Sequence, residues 1–188
     1  MNLKISQDII KRRKNKSKQA VVIVVARETS IGNLTVVKSH KGLCYIALGD
    51  VTTQLFQELE VRFTDIKHDV DDFALHQDIE CIVEMIETPK LVKKHNFLLD
   101  INGTVFQKKV WAALCEVQCG ETISYEELAQ NIGMPKAYRA VANACACNKL
   151  ALVIPCHRVV HKNSALSGYR WGIQRKQILL QRERYLKS

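Results

Sequence analysis

The apolar positions of this chain change rhythm near its middle. From Val21 to Val25 they are continuous and mostly β-branched, which predicts a buried strand. Asn33 to Lys38 and Leu43 to Leu48 predict two more, separated at Gly42 and closed by Gly49-Asp50. Leu55, Phe56, Leu59 and Phe63 then fall at helical spacing, as do Ile79, Ile82, Val83 and Ile86. Phe97 to Ile101 predicts a last strand. Strands followed by helices make residues 20–98 a small α/β domain.

Beyond Asn102-Gly103 the rhythm is helical. Thr104 is placed to cap a helix whose apolar face includes Phe106, Val110, Leu114 and Val117, with Gly120 as its stop. Ser124 and Glu127 form a capping-box pair ahead of a helix over Tyr125 to Ile132. Gly133-Met134-Pro135 makes a turn, and Lys136 to Cys147 reads as the next helix. Helix, tight turn and helix is the pattern of a helix-turn-helix, which ordinary helical hairpins share. Tyr138 and Arg139 stand early in its second helix, where a recognition helix presents its contacts. A final helix is predicted over Gln174 to Tyr185, which completes a mostly helical domain at 99–188.

The 188 residues allow one large domain or two small ones. Net charge is +9, unevenly spread. Residues 1–19 carry seven Lys/Arg against one acid, around Lys11-Arg12-Arg13-Lys14, and read as a basic tail. Residues 20–98 carry eight against twelve, and 99–188 carry thirteen against six. The carboxy-terminal part is therefore the candidate polyanion-binding surface, although a basic face can also serve solubility alone. The longest clean apolar run, Ala20 to Ala26, is too short to span a bilayer, and no secretory signal is expected. Seven cysteines follow no framework, which predicts free thiols in a reducing cytoplasm.

One of those cysteines is set apart. Pro155-Cys156-His157-Arg158-Val159 places a thiol beside an imidazole, after the apolar run Leu150 to Ile154. A thiolate is a strong nucleophile near neutral pH and a thiol is a weak one, so a neighbouring base or cation decides reactivity.

The same region carries a dense set of motifs in one order. They are Gly103-Thr104, Phe106-Gln107, Val110-Trp111, Gly120-Glu121, Ser124-Tyr125, Pro135-Lys136-Ala137, Arg139-Ala140-Val141, Asn148 and Ile154 to Val160. By these motifs residues 103–183 resemble the catalytic domain of the O6-alkylguanine-DNA alkyltransferases, the methylated-DNA–protein-cysteine methyltransferases. Ser167-Gly168-Tyr169-Arg170-Trp171-Gly172 is most similar to the carboxy-terminal half of Ada-type members. A looser likeness reaches back to about Val21.

The resemblance implies a ribonuclease-H-like sheet with helices, followed by a helical domain with a helix-turn-helix. It implies that Cys156 takes the alkyl group from O6-alkylguanine in double-stranded DNA, with O4-alkylthymine as a second candidate lesion. The product is a thioether, a poor leaving group, so one transfer per molecule is expected. His157 is then the base, through a bridging water, and Glu183 the carboxylate that holds its other nitrogen. Tyr125 matches the tyrosine that donates toward guanine N3, and Asn148 the asparagine that ties the helix pair to the active-site segment. Arg139 matches the residue that fills the space of a flipped nucleotide. Tyr138, Ala137, Lys136 and Ser124 complete the implied DNA contacts, which are mostly phosphate-driven and weakly sequence-specific. Pro155, Val159, Tyr169 and Arg170 are the implied pocket, where main-chain groups at Cys156, Val159 and Arg170 read the guanine edge.

Two departures qualify the match. Asn163-Ser164 stands where the family usually has a glycine, and Asn tolerates a left-handed backbone. Cys44 and Cys81 have no ligand cluster around them, while Cys115/Cys119 and Cys145/Cys147 sit in apolar helical contexts, so no metal and no cofactor is expected. The chain is expected to act as a monomer. Two alternatives remain at this point: a module that flags lesions without repair, and a Cys-His hydrolase or acyl transferase acting on small molecules.

Overall fold

In the computed structural model, residues 22–49, 57, 59–60, 63, 66–68, 72–89 and 95–184 are described. The basic tail at 1–19 and most of the helix predicted around Leu55 lie outside them. Leu59 and Phe63 of that segment are both buried, and the Phe63 N–H donates to the Leu59 carbonyl at 2.8 Å.

The first half is a four-stranded sheet in the order β3-β2-β1-β4. β1 (Val22–Thr29) pairs antiparallel with β2 (Gly32–Ser39), which pairs antiparallel with β3 (Gly42–Leu48). β1 runs four residues past the predicted Val25, through exposed Ala26, Arg27 and Glu28, because the ladder to β2 continues to the turn. β4 (Ile66–His68) lies parallel to β1, a strand that the sequence pattern missed. Helix α1 (Phe73–Glu87) starts on Asp72, whose carboxylate accepts from the Leu75 N–H at 2.9 Å. It buries Leu75, Ile79, Cys81, Ile82 and Ile86, the face that its spacing predicted.

The outer edge of β3 is covered rather than open. The Leu43 N–H donates to Leu98 O at 2.7 Å, and the Asp100 N–H donates back to Leu43 O at 2.8 Å. This reduces the predicted strand at Phe97–Ile101 to a single bridge at Leu99. Gly42 is required there: its φ is +132°, and a Cβ would lie 2.2 Å from the Leu98 carbonyl oxygen. Further along, the Ile46 N–H donates to Lys149 O at 2.8 Å and the Ala151 N–H to Ile46 O at 3.1 Å. The sheet is thus bonded to the segment that leads into Cys156.

The second half is helical. α2 (Val105–Cys115) opens on Thr104 in a complete capping box with Gln107, and ends five residues short of Gly120. α3 (Tyr125–Asn131) opens on Ser124 in the predicted box with Glu127. Gly133, at φ +72°, turns the chain. A 3-10 turn, Pro135–Ala137, then leads into α4 (Tyr138–Ala146), so the predicted helix from Lys136 begins two residues later. The Trp111 indole donates to Ala144 O at 2.9 Å and fixes α2 to α4. β5 (Ile123–Ser124) and β6 (Val159–Val160) form a short parallel pair, and α5 (Ile173–Arg184) closes the fold.

One hydrophobic cluster runs through both halves. It joins Leu34, Val36, Leu43 and Ile46 of the sheet to Val110, Leu114, Leu128, Val141, Leu150, Ile154 and Leu179. Among the described residues no helix is long and apolar enough to cross a membrane.

Candidate active site

Leu150 to Ile154 is apolar but not a strand. The Val153 N–H bonds Ala151 O, Ile154 N–H bonds Leu150 O, and Cys156 N–H bonds Ile154 O, so the backbone coils through successive tight turns. Leu152 takes φ +68° while fully packed, a left-handed conformation that costs a branched residue on the order of 1 kcal/mol. The chain then enters a 3-10 turn, Cys156–Arg158, and passes into β6. This path buries Pro155, Cys156, His157 and Val159 together.

Asn148 organises the turn. It is 1% exposed, and its side-chain oxygen accepts from the Leu150 N–H at 2.9 Å. Its Nδ2 donates to Ile154 O at 2.9 Å and to Cys156 Sγ at 3.1 Å. Burial pushes the thiol up to about 11, while the Asn148 hydrogen bond and the charge of Lys176 work in the opposite direction. The resting group is a thiol, so its proton must leave when it reacts.

A proton acceptor is built beside it. His157 is 1% exposed, and its Nε2 meets Glu183 Oε1 at 2.9 Å. Burial holds the imidazole below its ordinary pKa despite that carboxylate, which keeps it neutral near pH 7. Nδ1, the other ring nitrogen, is buried without a hydrogen-bond partner in the protein. Arg158 grips Glu183 with Nε at 3.1 Å and Nη2 at 2.9 Å, and donates from Nη1 to Val117 O at 2.6 Å. The Gly120 N–H adds a bond to Glu183 Oε2 at 3.3 Å. Burial of Glu183 opposes its charge, yet His157 and Arg158 outweigh it and bring the carboxyl down to about 2.

Tyr125 reaches the other side of the turn. Its hydroxyl donates to Ser167 Oγ at 2.9 Å, and Ser167 donates to Val159 O at 3.1 Å. Burial raises the phenol above its ordinary pKa, so Tyr125 is a proton-bearing donor at neutral pH. Val159 O also accepts from Lys176 Nζ at 2.5 Å. A base read at that carbonyl has to share or displace one of those donors. Tyr169 packs edge-on to His157 with ring centroids 6.4 Å apart, and its hydroxyl is buried without a partner. Arg170 is exposed and its guanidinium reaches the Tyr45 hydroxyl on β3 at 3.4 Å.

The sequence-predicted DNA contacts divide in two. Lys136, Tyr138 and Arg139 are exposed at the start of α4, with the Arg139 guanidinium 5.8 Å from the centre of the Tyr138 ring; Ala137 beside them is partly exposed. Ser124 is different: it is 6% exposed, and its hydroxyl is committed to the Glu127 N–H at 3.1 Å. It is part of the capping of α3 and not of that exposed surface. In the loop after β6 it is Ser164, not Asn163, that turns left-handed, at φ +61°, while Asn163 Oδ1 accepts from the Ala165 N–H.

Sequence reasoning missed three residues of this site: Arg158, Ser167 and Lys176. A signal for the last was present. Lys176, Leu179, Leu180 and Glu183 are spaced i, i+3, i+4, i+7, the stripe of a buried helix face whose two outer members are charged.

The family model described as "6-O-methylguanine DNA methyltransferase, DNA binding domain" matches residues 105–185. The "Regulatory protein ada" of Salmonella typhimurium is 49% identical over 152 residues, 81% of this chain and 42% of that protein. The chain therefore spans less than half the length of that relative. The "Methylated-DNA--protein-cysteine methyltransferase" of Debaryomyces hansenii is 36% identical over 160 residues, 80% of this chain and 84% of that protein. The solved structure "Mycobacterium tuberculosis OGT in complex with DNA" superposes with a TM-score of 0.73 at 32% identity, covering 87% of this chain and 94% of that one. A buried thiol with a neutral, carboxylate-held histidine beside it, on a chain so related from sheet to last helix, belongs to the methylated-DNA–protein-cysteine methyltransferase family.

Proposed function

We propose that this chain repairs DNA by direct transfer of the alkyl group of O6-alkylguanine to Cys156, once per molecule. The observation that carries the reading is the buried Asn148–Cys156–His157–Glu183 assembly, in which a thiol, a neutral base and a fixed carboxylate stand together. The thiol proton passes through a bridging water to Nδ1 of His157, and Glu183 stabilises the imidazolium that results. The sulfur attacks the alkyl carbon, the carbon–oxygen bond breaks, and its electron pair returns to the purine. Tyr125 releases Ser167 and donates toward N3 as charge grows there. The base leaves as guanine with its ring proton taken from Tyr125, the proton held on His157 returns to the tyrosine through solvent, and the alkyl group remains on sulfur.

A thiol that is 7% exposed cannot reach a base within a stacked duplex. The nucleotide has to leave the helix, at a cost of roughly a few kcal/mol. Exposed Arg139, backed by Tyr138, is placed to occupy the gap, and Lys136 to meet phosphate. The division of labour follows the sequence: residues 20–98 as a supporting α/β domain, 99–188 as the DNA-binding and alkyl-accepting domain. The chain acts as a monomer on double-stranded DNA, in a reducing cytoplasm that suits its seven free thiols.

The test is duplex DNA carrying O6-methylguanine labelled in the methyl group. Label should appear on protein in a ratio approaching one per chain, on Cys156 by peptide mapping, and not on Cys156→Ala. Label on another residue, or turnover beyond one equivalent, refutes the reading.

A further inference from the structure

Lys176 is a cation in an unusual place. It is 0% exposed, and among the described residues no carboxylate meets its ammonium. Its Nζ donates to Val159 O at 2.5 Å, Ser167 O at 3.3 Å and Ser167 Oγ at 2.6 Å, which engages all three protons. A buried charge balanced only by neutral oxygens is costly, and a neutral side chain of similar length would fit with less penalty. Retaining the charge therefore calls for a reason in the chemistry.

The surroundings supply one. Ser167 Oγ accepts from Lys176 and from the Tyr125 hydroxyl, and gives its own proton to Val159 O. Both lone pairs and the single proton of that hydroxyl are in use. Tyr125 thus shares its acceptor with a cation, which makes the serine oxygen a weaker partner and the phenol proton easier to redirect. Glu183 lies seven residues further along α5, on the same face, about 10 Å away along the helix axis. One helix therefore holds an anion against His157 and a cation against the Ser167–Tyr125 pair, and α5 packs on the turn that carries Cys156 between them.

We propose that Lys176 is a positioning residue for the transfer, holding Ser167 so that Tyr125 can release its proton to the departing base and setting a positive charge beside the Cys156 sulfur as it becomes a thiolate. This rests on the alkyl-transfer reading. The ionisable groups whose charge Lys176 feels or modifies are Cys145 on α4 and Cys156 and His157 in the turn. Burial draws the lysine down to about 8, so its charge is full at pH 7 and is lost as the pH rises through that value.

The test uses the full chain with Lys176→Gln, which keeps a donor and removes the charge, and Lys176→Met, which removes both. Two quantities are read for each: the rate of Cys156 alkylation by iodoacetamide at pH 7 without DNA, and the pH profile of methyl transfer from O6-methylguanine duplex. In the wild type, transfer should decline above about pH 8. In Lys176→Gln the rate of Cys156 alkylation at pH 7 and the rate of transfer at pH 7 should each fall about tenfold or more. Combining Lys176→Gln with Tyr125→Phe should cost less than the product of the two separate effects. An unchanged alkylation rate at pH 7 overturns the proposal, even with slowed transfer, since that pattern is scaffolding alone. Multiplicative effects with Tyr125→Phe overturn it as well. If Lys176→Met does not fold, Lys176→Gln and the wild-type profile still decide. A wild type that transfers no methyl group refutes the repair reading, while the iodoacetamide rate at pH 7 continues to report on Lys176.

Discussion

Glu183→Gln isolates the charge at the centre of the site while keeping its size. The wild-type carboxyl sits at about 2 against an ordinary 4.5, held by His157 and by the bidentate Arg158 contact. At about 1.4 kcal/mol per pH unit, that difference corresponds to about 3 kcal/mol of stability at neutral pH. Glu183 is 3% exposed, so solvent screens little of it. Folding favours the ionised form, so this increment is complete above about pH 4.5 and is lost as the pH falls toward about 2. Urea denaturation of wild type and variant, compared at several pH values, reads it directly. The two should differ by about 3 kcal/mol at pH 7, and the gap should close between about pH 4.5 and pH 2. Glutamine can also present its amide N–H to His157 and select the wrong tautomer, so transfer should slow by roughly 100- to 10,000-fold. A gap under about 1 kcal/mol at pH 7, or one independent of pH, would refute the account of how Glu183 is held. Transfer within about tenfold of wild type would remove His157 as the base.

Other consequences follow from single contacts. Asn148→Ala removes two main-chain hydrogen bonds and the donor to Cys156 Sγ; it should cost about 2–4 kcal/mol by urea denaturation and raise the pH midpoint for iodoacetamide alkylation of the thiol. Arg139→Ala touches no buried group, so iodoacetamide should modify Cys156 as fast as before while transfer from duplex DNA falls. Equal losses in both assays would count against a role in base extrusion. Gly42→Ala drives a Cβ to 2.2 Å from the Leu98 carbonyl at φ +132°, and should lower stability by more than about 2 kcal/mol in a thermal melt.

Much of the fold was legible because its signals are local. Thr104 and Ser124 cap their helices as predicted, Ser124 in the box that its spacing to Glu127 announced, and Ile79, Ile82 and Ile86 face inward at the helical period. His157 meets Glu183 at 2.9 Å, and Cys156 precedes the histidine in the same buried turn. What was not legible depends on distant partners. β4 is three residues, Ile66–His68, with no alternation to announce it, and it exists because β1 offers an edge. The run before Cys156 looks like a strand because it is apolar, but Asn148 and β3 take its hydrogen bonds and coil it through Leu152. Nothing local announces that Lys176 is buried on three neutral oxygens or that Arg158 grips a carboxylate 25 residues away.

The pairing of Ile46 with Lys149 and Ala151 limits how this molecule can be divided. Its composition changes near residue 103, and a protein engineer seeking a minimal reagent would cut there. Such a fragment would keep every residue from Thr104 to Glu183. It would also bare Leu150, Ile154 and Leu179, which share one cluster with Leu43 and Ile46, and strand the amide of Ala151. The coil that aims the sulfur would lose its backstop on the side opposite Asn148. The amino-terminal sheet is thus a tool-holder: through Ile46 it braces the coil that carries the sulfur.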